Sequence, residues 1–334
     1  MSKAALVVGI NYYEKQSNLK GCVNDAKSIT KLLRYNENGE KNFEVRCLCA
    51  EDIQSAIKAD KLQQQIKELF ENRHNETALL YFSGHGGITP NNGGYIATRD
   101  TNTHETGISM ADLIEIVNTS KVRNKIIIFD TCHSGEMGVH PSYKNLGSCI
   151  GEGVSILTAS SQDQKALENN DLFNEHGVFS KLLIDSLEGC GSSILGQVTL
   201  GGIYAHIDKS LGNFGQRPIF KTNTNRFIEI RKVISQVNLQ ELRELSNIFT
   251  EPTAIYKLDQ TYEQDKDVPA TYTNKKACNP EHYRVFRILQ NLNRVNIVVA
   301  VEEKDMYYAA MNEKACKLTS TGRFYWHLAK TEKL

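Results

Sequence analysis

The chain has 334 residues, enough for one large domain and a smaller one, and its 40% hydrophobic and 23% charged residues are ordinary for a globular protein. Lys+Arg equals Asp+Glu at 39 each, so no net field draws the molecule to nucleic acid or to an anionic membrane, and no apolar run approaches the ~20 residues that span a bilayer. Eight dispersed cysteines without a CxxC pair argue against a disulfide framework and for a reducing, cytoplasmic setting.

AALVVGIN (4–11) reads as a first strand and not as a signal peptide, because charged and polar residues follow it without a small-residue cleavage site. Further strands are expected at FEVRCLCA (43–50), TALLYFSG (77–84), KIIIFDT (125–131) and GVSILTAS (153–160). Between them, helical periodicity marks 22–35, 56–73, 109–120 and 176–189, with Ser109 and Asp112 as a capping-box start. Cys47 and Cys49 share one strand face and are expected to be small core hydrophobes. A helix near 200–211 and the stretch QRPIFKTNTNRFIEI (216–230) complete a first domain. Near-continuous apolar strands alternating with amphipathic helices predict an α/β fold, a mostly parallel sheet flanked by helices on both faces. The pattern changes near 231–240, which gives domains of 1–232 and 233–334. Residues 251–280 hold three of the six prolines and little periodicity. The helix 281–296, short strand-like runs and a closing aromatic helix then predict a smaller α+β domain, winged-helix-like, with KLTSTGRFYWHL as its wing.

The chemistry-bearing residues stand at two strand ends. LLYFSGHGG (79–87) delivers His85 among glycines, and KIIIFDTCHSG (125–135) delivers Cys132. In an open α/β sheet, ligands gather outside the carboxyl ends of the strands. A histidine from a neighbouring strand end can reach a thiol there, whereas His133, adjacent in sequence, points to the opposite side and is expected to be an orienting or solvent-facing residue. The glycines let backbone amides approach a reacting carbonyl, so Gly86 and Cys132 are candidates for an oxyanion hole. Ser83 and Asp130 each lie two residues before His85 and Cys132, so strand alternation puts them on the same side. A zinc site from Cys132, His133 and His85 lacks ligand spacing and a fourth group, and SGHGG lacks the lysine of a phosphate loop. His74, His104, His140, His176, His206, His282 and His327 are expected to be surface or packing residues without an identifiable partner.

FSGHGG followed by IIIFDTCHSG resembles the catalytic pair of the caspase-like cysteine peptidases (clan CD), most closely the metacaspase branch that includes prokaryotic homologues. GCVNDAKSITKLL (21–33), AALVVGIN and QRPIF (216–220) are similar to further segments of that family, and the resemblance covers roughly 1–230. It implies a caspase-like fold and peptide-bond hydrolysis through a thioester, with His85 and Cys132 as the dyad. It also implies an acidic pocket for arginine or lysine before the scissile bond, at Cys22, Asp25, Ser83 and Asp130. The sequence offers support of its own, since two carboxylates at a cleft floor suit a guanidinium or ammonium. Asp25 has a second reading, as a residue supporting its helix start through the dipole. Members of the family often use calcium through an acidic pair near ISMADL (108–113), but only Asp112 stands there, so no metal or other cofactor is assigned. A regulated, self-processing zymogen in defence or cell-death signalling is the wider expectation, with Lys144, Arg231 and Lys232 as self-cleavage candidates.

The partners expected are a protein or peptide substrate with a basic residue before the cut, and an activator docking on the C-terminal module. Arg284, Arg287 and Arg294 line one helix of that module, but acidic residues nearly balance basic ones across 235–334, so the helix is expected to be a solvated face and nucleic acid is disfavoured. Tyr307, Tyr325 and Trp326 are expected in the core or at an interface. The alternative function is a DNA-binding or protein-docking regulator whose first domain is a sensor or scaffold.

Overall fold

A computed structural model describes residues 2–89, 93–101, 107–131, 150–159, 176–212, 217–264, 272 and 275–334. It divides into two compact units, Met1–Ile234 and Ser235–Leu334.

The first unit is built on a six-stranded sheet. Strand β1 (Lys3–Ile10) leads to helix α1 (Cys22–Arg34), β2 (Glu44–Ala50), α2 (Ala59–Glu71) and β3 (Thr77–Ser83). After β3 the chain forms a small antiparallel sheet from β4 (Gly86–Thr89), β5 (Gly93–Ile96) and β6 (Ile108–Ser109). It continues through α3 (Met110–Thr119), β7 (Asn124–Asp130), β8 (Val154–Thr158) and α4 (Val178–Asp185), whose last turn widens into a π-helical turn over Ser186–Cys190. Strand β9 (Gln197–Thr199), α5 (Leu200–Leu211), β10 (Ile219–Asn223) and β11 (Glu229–Lys232) close the unit, and β9 pairs with β11. The order in the large sheet is β10-β8-β7-β3-β1-β2, parallel throughout except for the antiparallel edge strand β10. From β1 the chain runs outward to β2, then returns to β3 on the other side, so the strand order reverses between β1 and β3. In folds of this kind a ligand site forms at such a reversal, beyond the carboxyl ends of the strands.

Both sheet faces are covered, as the unbroken apolar runs require. Leu80, Phe82, Ile127 and Phe129 pack toward Leu62, Ile66 and Phe70 of α2 and Leu113 and Val117 of α3. Their alternates, Leu79, Tyr81, Ile126 and Ile128, pack toward Ala26, Ile29 and Leu33 of α1, Phe179 and Leu183 of α4, and Ile203 and Ile207 of α5. The Ser109 hydroxyl caps α3 by accepting from the amides of Ala111 and Asp112. Cys47 and Cys49 depart from the expectation. They lie on β2 at the sheet edge and are half-buried, because no further strand among the described residues covers them there.

The second unit is α+β. It contains α6 (Leu239–Ile248), β12 (Ile255–Lys257), α7 (Pro280–Arg294), β13 (Val298–Val301), α8 (Met306–Met311), β14 (Ala315–Leu318) and α9 (Ser320–Lys330). Its strands form an antiparallel sheet of order β12-β14-β13. The stretch expected to be a wing is instead a strand end joined to a helix, because Thr319 caps α9 by accepting from the Gly322 amide at 3.0 Å. Arg284 on α7 pairs with Glu281 one turn earlier, as a solvated face would. Trp326 is half-buried and donates to the Phe249 carbonyl at 2.8 Å.

Candidate active site

Strands β3 and β7 lie in register with Ser83 opposite Asp130, so the two carboxyl ends finish side by side. Alternation puts both residues on the face of Tyr81 and Ile128, toward α1 and α4. There they enter a buried polar network. The Ser83 hydroxyl donates to Asp25 Oδ2 at 3.2 Å, and His176 Nδ1 lies 2.7 Å from Asp25 Oδ1. On the other side, the Ser180 hydroxyl donates to Asp130 Oδ2 at 2.6 Å. That bond uses the one proton of Ser180, so the Tyr81 hydroxyl, 2.6 Å from Ser180 Oγ, is the donor in their contact.

Asp25 is 1% exposed, and burial pushes its carboxyl above the ordinary carboxylate range. His176, Ser83 and the Gly177 amide work against that rise. The Tyr81 phenol is driven well above its ordinary value by complete burial and by the negative charge of Asp25 and Asp130. Both carboxylates also stand at helix starts. Asp25 is in the first turn of α1, and Asp130 meets Ser180 in the first turn of α4, where unpaired amides favour negative charge. Gly177, the N-cap of α4, closes the group. A Cβ there would lie 3.0 Å from Asp130 Oδ2 and 3.7 Å from Asp25 Oδ2, so both carboxylates converge on one point that a side chain would fill.

His85 follows β3 by two residues and is half-buried. Its Nε2 lies 2.7 Å from the Ser17 carbonyl oxygen, an acceptor only, so Nε2 carries a proton. In the neutral ring Nδ1 is then the acceptor nitrogen. The Tyr13 ring packs on the imidazole, with centroids 4.7 Å apart, and its hydroxyl accepts from the His85 amide at 2.8 Å. This seat requires glycine at 84, because a Cβ there would stand 2.5 Å from the Tyr13 hydroxyl. The Ala97 amide donates to the His85 carbonyl at 2.9 Å, so position 85 bonds toward β5. Hydrogen-bonding direction alternates along an antiparallel ladder, and the Gly86 amide therefore points away from β5.

The structure thus brings together Asp25, Ser83 and Asp130. Cys22 is buried at the head of α1, with its carbonyl against Gly9. Cys132, His133 and Lys144 lie outside the described residues. Arg231 is 8% exposed within β11, and its guanidinium bonds the carbonyls of Tyr35 (3.1 Å) and Leu187 (2.5 Å), so the bond after it is held in a paired strand. Lys232 is exposed but paired with Gln197 in the same ladder. Among the described residues no three His, Cys, Asp or Glu side chains are grouped to hold a metal. Sequence reasoning missed His176, Ser180, Tyr81, Tyr13 and Ser17. Of these, Ser180 alone left a signal, a hydroxyl among the apolar inner positions of a helix.

A profile of the caspase domain, peptidase family C14, matches residues 2–228. The chain belongs to that family of cysteine-type peptidases. It is 29% identical over 146 residues to Metacaspase-1A of Aspergillus clavatus, covering 40% of this chain and 34% of the relative. Against Metacaspase-1A of Aspergillus terreus it is 30% identical, covering 40% and 36%. The chain thus spans about a third of the length of the curated relatives it matches. The crystal structure of caspase-1 from Spodoptera frugiperda superposes with a TM-score of 0.51 at 14% identity, covering 71% of this chain and 92% of that one, and so shares the caspase fold. No helix among the described residues is long and apolar enough to cross a membrane.

Proposed function

We propose that the chain is a cytoplasmic cysteine endopeptidase that cuts proteins or peptides after arginine or lysine, with Cys132 as nucleophile and His85 as base and acid. The proton on His85 Nε2 leaves Nδ1 free to accept one from the Cys132 thiol. The thiolate attacks the scissile carbonyl carbon, and the amides of Gly86 and Cys132 hold the oxyanion. His85 returns the proton to the leaving amine as the C–N bond breaks, and water hydrolyses the thioester. The register of Ser83 with Asp130 supports the pairing, since His85 and Cys132 each follow two residues later in the chain.

The observation that carries the specificity is the convergence of the Asp25 and Asp130 carboxylates, with the Ser83 hydroxyl, at the adjoining ends of β3 and β7. Such a group accepts a cation and repels an acidic side chain. Cys22, at the same helix start as Asp25, is assigned to the pocket wall. Self-processing is assigned first to Lys144, because Arg231 and Lys232 are held in a strand ladder. The second unit is assigned to regulation, docking an activating partner.

A panel of fluorogenic peptides ending in Arg, Lys or Asp tests this reading, with Cys132→Ala as control. Cleavage after Arg or Lys that disappears in the variant is expected. Cleavage after Asp, or activity surviving the substitution, overturns it.

A further inference from the structure

Strand β2 places Cys47 and Cys49 on one face, two residues apart, and their sulfurs stand 3.5 Å from each other. Both are half-buried against the outer end of the α1 layer. Neither belongs to the site above. Two residues along a parallel strand rise about 6.6 Å, at the wide end of the Cα separations that a disulfide bridges, about 4.4–6.8 Å. A bond here would be strained and hence readily reduced. The edge position helps it form, since β2 is bound only by β1 in the sheet order and can twist to close the sulfurs.

The surroundings differentiate the two thiols. Cys47 is lowered to about 6, first by the hydrogen bond from Cys49, then by the Thr30 hydroxyl and the positive charges of Arg34 and Lys27 on α1. Cys49 is raised by the same contact and by burial, so it keeps its proton. One sulfur is therefore prepared as an attacking thiolate and its neighbour as a protonated resolving thiol.

We propose that Cys47 and Cys49 form a vicinal dithiol site that hydroperoxides oxidise to an intrachain disulfide. The Cys47 sulfur attacks a peroxide oxygen, and the O–O bond breaks. The departing hydroxide or alkoxide takes a proton, leaving Cys47 as a sulfenic acid. The Cys49 sulfur then attacks the Cys47 sulfur, forming the S–S bond and breaking S–O. The departing oxygen leaves as water with the Cys49 proton. Two thiols lose two electrons, and the peroxide is reduced to two waters, or to water and an alcohol.

Trypsin cleavage after Arg46 and Lys58 isolates residues 47–58, which hold these two cysteines and no other. After brief treatment of the intact protein with hydrogen peroxide and then iodoacetamide, this peptide is expected to lose about 2 Da and both alkylation sites. Dithiothreitol should restore them. The loss should run about tenfold or more faster than oxidation of Cys190, although Cys190 is the more exposed thiol. Cys49→Ser should accumulate a dimedone adduct on Cys47, and Cys47→Ser should slow oxidation of the remaining thiol to the rate of Cys190. Should either variant not fold, the wild-type peptide still decides. Both thiols remaining alkylatable while Cys190 oxidises as fast, or separate sulfinic acids without the 2 Da loss, would overturn the site.

Discussion

The two faces of β3 and β7 are made by the same strands and end differently. On the α2–α3 face the strands stay apolar to the last turn, where Phe82 and Phe129 meet edge to face with centroids 6.0 Å apart. On the α1–α4 face the same alternation runs through Leu79, Tyr81, Ile126 and Ile128 and then changes to Ser83 and Asp130. The first ending is what a packed layer requires. The second costs desolvation of two carboxylates, offset by two hydroxyls, a histidine and two helix starts. Replacing such a buried polar group by an aliphatic pair is often neutral or stabilising for a fold, which supports the substrate-binding role proposed for this ending.

The comparison breaks most completely at the proposed dyad, His85 and Cys132, which follow Ser83 and Asp130 in the chain. Cys132→Ala and His85→Ala should each lower kcat/KM for an arginine peptide by about 10⁴-fold or more while leaving the melting temperature near wild type. Activity within tenfold of wild type in either variant would remove the assignment.

A matched pair of substitutions then separates the faces. Phe129→Ala empties space in the α2–α3 layer and should destabilise by about 3–5 kcal/mol in denaturant unfolding. Asp130→Asn, one residue later, should leave stability within about 1 kcal/mol and lower kcat/KM for arginine peptides by about 10²-fold, with a smaller loss for a citrulline peptide. Equal losses on arginine and citrulline would show that Asp130 does not read charge.

How much of this contrast can be read from residues alone depends on the range over which each feature acts. Alternation is local, so the shared face of Ser83 and Asp130 and the two layers of helices follow from the strand runs themselves. The pairing of Ser180 with Asp130 spans 50 positions and that of His176 with Asp25 spans 151, and neither stretch carries a local mark of its partner. Ser17 orients His85 through a carbonyl, which every residue possesses. Strands β4 to β6 are two to four residues long and rich in glycine, too short to display a period. Cys47 and Cys49 alternate like core residues, and only the strand order reveals that β2 is an edge.

A smaller effect sharpens the polar ending at its rim. Gly177→Ala would set a methyl 3.0 Å from Asp130 Oδ2 and narrow the space between the carboxylates. The expected result is about a tenfold rise in KM for arginine peptides, with an unchanged rate of Cys132 alkylation, since the methyl stands beside the carboxylates. An unchanged KM would mean that the substrate side chain does not enter between Asp25 and Asp130.

The smallest effect concerns stability and follows from Asp25 having its carboxyl raised by burial. A raised carboxyl binds its proton more tightly in the folded chain than in the unfolded one. Ionisation therefore opposes folding above the folded value, and the opposition disappears as pH falls below the unfolded value near 3.9. Asp25→Asn removes the ionisation while keeping a carbonyl oxygen for Ser83. The variant should melt slightly above wild type at pH 7.5, by about 2–4 °C for each kcal/mol relieved, and the gap should close as pH falls toward 4. His176 reduces the gain, because its hydrogen bond to Asp25 Oδ1 favours the ionised carboxyl. A double variant with His176→Ala separates the two, and the gap should widen at neutral pH once the imidazole is gone. A gap that grows on acidification in that double variant would mean that the protein is stabilised by the Asp25 charge, and the polar ending would then be structural after all.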